Sequence, residues 1–516
     1  MLKRDGHGIE YVLFFALFLA YLYLFWKTGI HSDDYDFINR LLSYGWSGLY
    51  SAIPDKFPQF LYFIPALTYD NVVLFLAHNN PLLLSLIKSF TMVACTAMIY
   101  VFAKDYLGRI SAFMFSILVI LYPTHDSTNY WIIGHYLPVT LALIMLAHYL
   151  INHDRIIGGQ IINFLGAFFS YASPPVGFGL SIIFLMKKEY KKFVIFLWPH
   201  VIYVAYYVAV SLVFKLGQYR TENTGIMTII KAYVIQLASA IDAFIGPSFI
   251  LKIFSSISVF HLLATVLGLL FIALVLLIPF PETDNRFDSK IIYAFGLIAL
   301  LAFGMFSLTG GFMQNDFNLT NRVTIYGSLL MSALIIRLFI WNRRIGAFFI
   351  ALVLLSSLGI SEHWKDWNYE QQIIISNIKL NKELHKAINE EKPIYVSFGQ
   401  YSRLGPMSHI EFFISNSSQI FQYALGKQVR TIPLNQNCKV VGNDIVDTKY
   451  NTSYQIEDYV YVYDSRTDKL VKFNKSNLEK YIASLPSENR HLIQLLGPGV
   501  IRDTLLKAVP RLQYLF

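Results

Sequence analysis

Charge and cysteine are both scarce in this 516-residue chain: 15% of its side chains are charged, and it has two cysteines. Cys95 falls within a long apolar run and Cys438 within a polar terminal region, so no intrachain disulfide and no cysteine metal cluster is expected. So few cysteines in a large exported region fit a bacterial or archaeal envelope. The terminal region lacks a Gly-rich phosphate loop, a Gly-x-Ser-x-Gly motif and any zinc-ligand spacing. The chain also lacks internal repeats, low-complexity tracts and Gly/Ser linkers. Paired half-sequences with helices broken at matching positions, the pattern of a transporter or lipid flippase, are not found either.

Apolar side chains are what the sequence has in excess. Hydrophobic residues make up 55% of the chain, above the ~45–50% usual for soluble domains. They fall in runs long enough to cross ~30 Å of hydrocarbon as helices, and too long for the strands of a barrel. Spans are expected near 8–26, 82–103, 110–123, 131–150, 156–171, 174–187, 193–214, 257–280, 291–308, 323–341 and 345–360. The expected fold is an all-α polytopic membrane domain of about eleven transmembrane helices over 1–360, followed by a soluble α/β domain over 361–516.

Charge placement orients the chain. Lys3-Arg4, Lys104 with Arg109, Arg155, Lys187-Lys188 with Lys191-Lys192, and Arg343-Arg344 fall on alternate loops. Positive charge marks the cytoplasmic side, and all these clusters share a side if Pro174-Pro175 separates two spans. The N-terminus is then cytoplasmic, its first run is a retained signal anchor, and loops 27–81, 124–130, 215–256 and 309–322 face outward with the terminal domain. The formal charge of +9 belongs mostly to cytoplasmic loops beside anionic lipid and implies no nucleic-acid partner.

Within the first outward loop, Tyr35, Phe37, Ile38, Leu41 and Leu42 recur at the spacing of an amphipathic helix in the headgroup plane, and Lys56 to Phe63 adds interfacial aromatics. Segment 226–250 is apolar but interrupted by Lys231, Gln236, Asp242 and Gly246-Pro247, which suits a pair of horizontal helices better than a twelfth span. In the terminal domain, 366–389 reads as a helix, 394–398 as a buried strand, and 459–463 with 470–473 as a hairpin.

Asp33 and Asp34 stand a few residues beyond the end of the first span. Adjacent carboxylates near lipid cannot both ionise cheaply, so one can be tuned to act as a base while the other orients or binds metal. Ser32-Asp33-Asp34 also precedes the amphipathic helix, where Asp is a common cap. For a phosphate, Arg322 at the end of an outward loop is the leading cation, with Lys88 inside the second span and Arg220 as further candidates. The segment His125 to Tyr136 offers Trp131 and Tyr136 as stacking faces for a sugar, His135 and Asp126 as partners for its hydroxyls, and Gly134 as a point of close backbone approach. No cofactor is required by these residues. His125, Asp126 and His135 leave a divalent metal open, although their spacing matches no compact ligand pattern.

A cytoplasmic N-terminus, one span, a long outward loop opening with Ser32-Asp33-Asp34-Tyr35, interfacial helices, many further spans and a terminal outward domain together resemble the GT-C superfamily of polyprenyl-phosphate-sugar-dependent glycosyltransferases. Trp131 to Tyr136 is similar to aromatic-glycine patterns of uncharacterised bacterial members. The resemblance covers roughly 1–360. It implies a lipid-phosphate sugar donor, a glycan, lipid or protein acceptor, membrane lipids as surroundings, and Asp33 or Asp34 as the base in an inverting transfer. Branches acting on protein hydroxyls or aminoarabinose usually show Asp-Glu where this chain has Asp33-Asp34, so acceptor and branch are not implied. Two other classes stay open: an O-antigen-type polymerase, which usually carries arginine-rich central outward loops where this chain has few arginines, and a lipid or glycan transporter without transfer chemistry.

Overall fold

The computed structural model describes residues 7–50, 64–214, 225–277, 286–309, 313–317, 319–397, 414–435, 438–447, 452–456, 458–485, 503–504 and 507–508. Lys56 to Phe63 and the candidate Arg220 lie outside them.

Each expected span contains a helix among the described residues. In chain order these helices are α1 (His7–Phe25), α4 (Pro81–Ala103), α5 (Arg109–Leu121), α6 (Tyr136–Asn152), α7 (Ile156–Ala167), α8 (Ser173–Met186), α9 (Tyr190–Phe214), α12 (Leu262–Leu277), α13 (Lys290–Leu308), α14 (Ile325–Trp341) and α15 (Arg343–Leu380). Between them lie α2 (Asp34–Tyr50), α3 (Ile64–Ala77), α10 (Ile226–Ile245) and α11 (Pro247–Ser258). By length and composition, seven helical stretches among the described residues can cross a membrane, and shorter apolar helices accompany them. This makeup is compatible with a membrane protein. Several expected spans, such as α7 and α8, are helical yet shorter than the ~20 residues that cross a bilayer unaided.

The helix ends follow local chemistry. Asn80 caps α4 by accepting the Leu83 N–H at 3.0 Å, with Pro81 in the first turn, where its missing N–H costs nothing. Asn342 caps α15 through the N–H groups of Arg344 and Ile345, each at 3.2 Å. Pro174-Pro175 opens α8 and separates it from α7, as expected. Gly246 and Pro247 break α10 from α11. The two halves together, Ile226–Ser258, nonetheless meet the length and hydropathy of a span.

The loops collect at two ends. At one end, the Asn152 amide donates to Asp105 at 2.9 Å, and Lys187 and Lys192 donate to Asn152 at 3.1 and 2.9 Å. The Gly108 N–H donates to the Arg286 carbonyl there, and Leu107 pairs with Phe287. The expected cytoplasmic clusters at 104–109, 152–155 and 187–192 therefore meet in one place, joined by 286–290. At the opposite end gather 27–34, 122–135, 170–173, 242–252, 314–324 and 361–371, which include the acid pair.

Beyond residue 361 the structure departs from the expected boundary. α15 runs unbroken through it, because 361–380 contains no proline or glycine to stop a helix. The composition shift marks a change of surroundings, while the backbone continues. Gly359 lets α15 meet α11 at backbone distance, since a Cβ there would sit 1.8 Å from the Ser256 carbonyl oxygen.

The terminal domain continues with α16 (Lys382–Ile388), α17 (Ile414–Leu425) and α18 (Lys475–Ser484). Its strands are β1 (Ile394–Ser397), β2 (Thr431–Pro433), β3 (Cys438–Val441), β4 (Asp444–Asp447), β5 (Thr452–Gln455), β6 (Val460–Asp464) and β7 (Lys469–Phe473). A mixed sheet has the order β2-β1-β6-β7, with β1 parallel to both neighbours and β6 antiparallel to β7. The expected hairpin is β6–β7, in register from Val460↔Phe473 to Asp464↔Lys469. β3-β4-β5 form a separate antiparallel sheet.

This domain packs on the acid-pair end. Ile30, Tyr35 and Ile38 share one buried apolar cluster with Ile374, Ile378, Phe421 and Ala424. The Asn39 amide donates to the Gln419 backbone carbonyl at 2.7 Å and to its side-chain oxygen at 2.9 Å, while Tyr35 and Tyr423 meet edge to face at 5.3 Å. α2, the helix that opens with the acid pair, is thus fixed from above by α17.

Candidate functional site

Ser32 holds a positive φ of 52° and turns the chain sharply into α2, so that the two adjacent aspartates face different surroundings. Asp34 is fully buried. Its carboxylate accepts the His31 N–H at 2.9 Å and the Ile133 N–H at 3.4 Å, tying the first loop to the second. Asp33 is partly buried, accepts from the Ser32 hydroxyl, and lies within the field of Arg322. Asp34 does not cap α2, because its carboxylate turns back to the preceding loop.

Burial raises both carboxyls above the usual carboxylate range. For Asp33 the Arg322 charge opposes the rise, and for Asp34 the His31 N–H and the Lys88 ammonium oppose it. His31 is driven well below its ordinary value by burial and then by Lys88. Its neutral ring donates to the Thr28 carbonyl through Nε2 at 2.7 Å and accepts the Gln371 amide at Nδ1 at 3.0 Å.

Lys88 lies under this loop rather than beside an open site. Its Nζ donates to the carbonyls of Gly29 and Tyr130, each at 2.6 Å, and to the Thr28 hydroxyl at 3.2 Å. Three oxygens from two loops replace the water that a buried ammonium loses. Lys88 is therefore occupied as a staple and is not turned toward a phosphate.

Arg322 stands in the short 3-10 segment Leu319–Thr324 that leads into α14. Its guanidinium lies over the Trp131 ring at 5.2 Å and donates to the Leu319 carbonyl at 2.9 Å. It also hydrogen-bonds the hydroxyls of Tyr136 and Tyr171, which themselves meet at 2.6 Å. Trp131 and Tyr136, expected to stack on a sugar, are 4% and 3% exposed. Their rings support the arginine instead of offering free faces. Tyr171, in the turn between α7 and α8, was not singled out from the sequence and is only partly buried.

Asp126 belongs to a second buried network. It pairs with Lys252 at 2.5 Å, accepts Trp364 Nε1 at 2.7 Å, and takes the Asn321 amide. Asn321 in turn accepts the Ser127 hydroxyl at 2.5 Å and the Ser127 N–H at 3.2 Å. Lys252 also donates to the Asp316 carbonyl. The cluster joins α11, α15 and the 314–324 loop, and it fixes Asn321 next to Arg322. Asp126 is therefore committed within the protein, away from any sugar hydroxyl. Lys252 was not anticipated, since one lysine in an apolar segment carries no local sign of its partner.

The histidines are equally committed. His135 bonds the Tyr69 hydroxyl at 2.9 Å and the Asn129 carbonyl at 3.0 Å, while His125 bonds the Thr128 hydroxyl at 2.9 Å and the Val119 carbonyl at 3.0 Å. With both nitrogens of each ring engaged, they do not fit a metal. Among the described residues no group of three or more His, Cys, Asp or Glu side chains is placed to hold one. Gly134 makes the close approach expected of it, since a Cβ there would lie 2.6 Å from the Ser127 carbonyl oxygen.

Two carboxylates stand apart from these networks. Asp70 and Asp316 are buried, and neither has a hydrogen-bond partner on its carboxylate oxygens among the described residues. Burial holds Asp316 well above the carboxylate range.

Of the sequence candidates, the fold brings Arg322, Trp131 and Tyr136 into one assembly, and the charge of Arg322 reaches Asp33. The fold assigns Asp34, Lys88, His135 and Asp126 to the networks beneath. Comparison of the chain with family models, with curated proteins and with solved structures returns no match.

Proposed function

We propose that this chain is an integral membrane glycosyltransferase of GT-C type, moving a sugar from a polyprenyl-phosphate donor to a glycan, lipid or protein hydroxyl on the outer face of a bacterial or archaeal cytoplasmic membrane. The reading is carried by Arg322, a guanidinium set over Trp131 and bonded to two tyrosine hydroxyls, whose charge reaches Asp33, a partly buried carboxylate. A transfer of this kind needs a base for the acceptor and a cation for the leaving phosphate within one substrate's length of each other.

In this mechanism Asp33 takes the proton from the acceptor hydroxyl, and the freed oxygen attacks the anomeric carbon with inversion. The bond from that carbon to the phosphate oxygen breaks, and its electron pair leaves on the polyprenyl phosphate, whose charge Arg322 offsets. Asp34 and Lys88 position the base by joining residues 28–34 to 130–133. The basic loops gathered at the far end support a cytoplasmic N-terminus, with the acid pair and the terminal domain outside.

A transporter reading is less well supported. Among the described residues of the helical part, the fully buried Asp and Lys side chains, Asp34, Asp70, Lys88, Asp126, Lys252 and Asp316, belong to the acid-pair end, and the buried histidines His148 and His200 lie elsewhere in the bundle, on α6 and α9. A transport path calls for ionisable groups along its length.

The test is a transfer assay on the purified chain in nanodiscs, with radiolabelled polyprenyl-phosphate hexoses as donors and short glycans, lipids or peptides as acceptors. Label moving to an acceptor with wild type and not with Asp33→Asn supports the reading. Equal transfer by both removes it.

A further inference from the structure

Trp364, buried on the outer part of α15, touches both sides of the candidate site. Its indole Nε1 donates to Asp126 Oδ2 at 2.7 Å, while Lys252 and Asn321 donate to Oδ1 of the same carboxylate. Through Asn321, Asp126 holds the short segment that carries Arg322. The indole also stacks on the Tyr130 ring, with centroids 5.4 Å and planes 11° apart, and meets the His31 ring edge to face at 4.6 Å. Those two rings belong to the loops that hold the acid pair: the His31 N–H donates to Asp34, and the Tyr130 carbonyl accepts Lys88. About two turns further along the same face of α15, Gln371 donates to His31 Nδ1 at 3.0 Å and to the Ile30 carbonyl at 3.1 Å. Gln371 thereby keeps the imidazole against the indole.

We propose that Trp364 is a positioning residue that sets the spacing between Asp33 and Arg322. This rests on the glycosyltransferase reading, in which Asp33 is the base and Arg322 offsets the charge of the leaving phosphate. A planar indole, bonded at its N–H on one side and packed against two rings on the other, is a spacer of fixed width. It acts through Asp126 toward Arg322 and through His31 toward the acid pair, without touching substrate. Base and cation must suit one transition state, and a misplacement of about 1 Å can cost a reaction on the order of 100-fold. Trp364→Phe keeps a ring between Tyr130 and His31 and removes the donor to Asp126. Lys252 and Asn321 stay on the other carboxylate oxygen, so the Arg322 segment keeps its own support while its tie to the acid-pair loops is cut.

The experiment measures kcat, donor KM and the acid limb of the pH profile for transfer from a radiolabelled polyprenyl-phosphate hexose, on the full-length protein in nanodiscs and well below each melting temperature. The proteins are wild type, Trp364→Phe, Arg322→Gln and the double variant. For Trp364→Phe, kcat should fall about tenfold or more while donor KM stays within about threefold of wild type. The acid limb should move to higher pH, because Arg322, which opposes the burial-driven rise of the Asp33 carboxyl, then acts from further away. The other charges in the field of Asp33 are Asp36, paired with Arg40, and the adjacent Asp34, and these travel with the same loop and helix. With Arg322→Gln already present, Trp364→Phe should move the limb no further, a result that general loosening of the fold would not give. Wild-type kcat in Trp364→Phe, a fall in kcat with the limb unmoved, or an equal movement in both backgrounds would overturn the proposal and leave the glycosyltransferase reading standing. No transfer by wild type would overturn both. Should Trp364→Phe fail to fold, Gln371→Leu, which frees His31 from the indole, decides: a limb moved to higher pH supports the proposal, and an unmoved limb overturns it.

Discussion

Lys88 Nζ, on α4 between the loop after α1 and the loop before α6, donates to the carbonyl of Tyr130 in the second of these loops at 2.6 Å. With its companion bond to the Gly29 carbonyl and the Asp34 bond to Ile133 N–H, it makes the two loops a single rigid floor. Asp33 belongs to the first of these loops and Arg322 to a segment remote in sequence, so their mutual placement depends on this floor.

Lys88→Met should therefore damage the fold. It leaves two carbonyls unpaired and Asp34 without its nearest cation, a loss of about 3–5 kcal/mol. Thermal unfolding in detergent should show a clear drop, and adding Asp34→Asn to it should recover part of the loss by removing the stranded charge.

Asp33→Asn should behave differently. The side chain is partly exposed and the amide keeps its shape, so the melting temperature should stay near wild type. Transfer should fall by about 10²–10⁴-fold, the usual contribution of a general base. A parallel loss of stability and activity would instead assign Asp33 to the structural network.

The pH profile follows from the direction of the Asp33 shift. A base must be ionised, burial raises the carboxyl, and activity is therefore lost as pH falls through a value above the ordinary ~4. Arg322 opposes that rise, so Arg322→Gln should move the acid limb to higher pH while lowering donor affinity. Single-turnover rates against pH would show the displacement, and a limb that moves to lower pH would contradict it.

Lys252→Met should strand Asp126 in a buried site at a cost of about 3–5 kcal/mol. Because Asp126 holds Asn321, which adjoins Arg322 in sequence, Lys252→Met/Asp126→Leu should regain stability without fully regaining donor affinity. Unfolding and binding measurements on the same preparations separate the two effects.

Much of the helical framework could be read from the chain, because an apolar run of about 20 residues has few alternatives in hydrocarbon. The Pro174-Pro175 break and the β6–β7 hairpin were likewise marked by local residues. The continuation of α15 past residue 361 was hidden by a change in polarity that alters surroundings and not backbone. β3, β4 and β5 are four residues each, too short for a periodicity to stand out. At the site, Asp33, Arg322 and Trp131 were visible as polar or aromatic residues beside spans. Lys252 and Tyr171 were not, since each gains its meaning only from partners far away in sequence. Asp126 and His135 looked like ligands for the same reason in reverse: the groups that engage them could not be seen.

The most direct test of the central claim is mass spectrometry of envelope glycans from a strain lacking this chain, restored with wild type or with Asp33→Asn. A single sugar missing from the deletion strain, returned by wild type and still missing with the variant at normal protein level, is the predicted result. Glycans identical in all three strains would contradict the account.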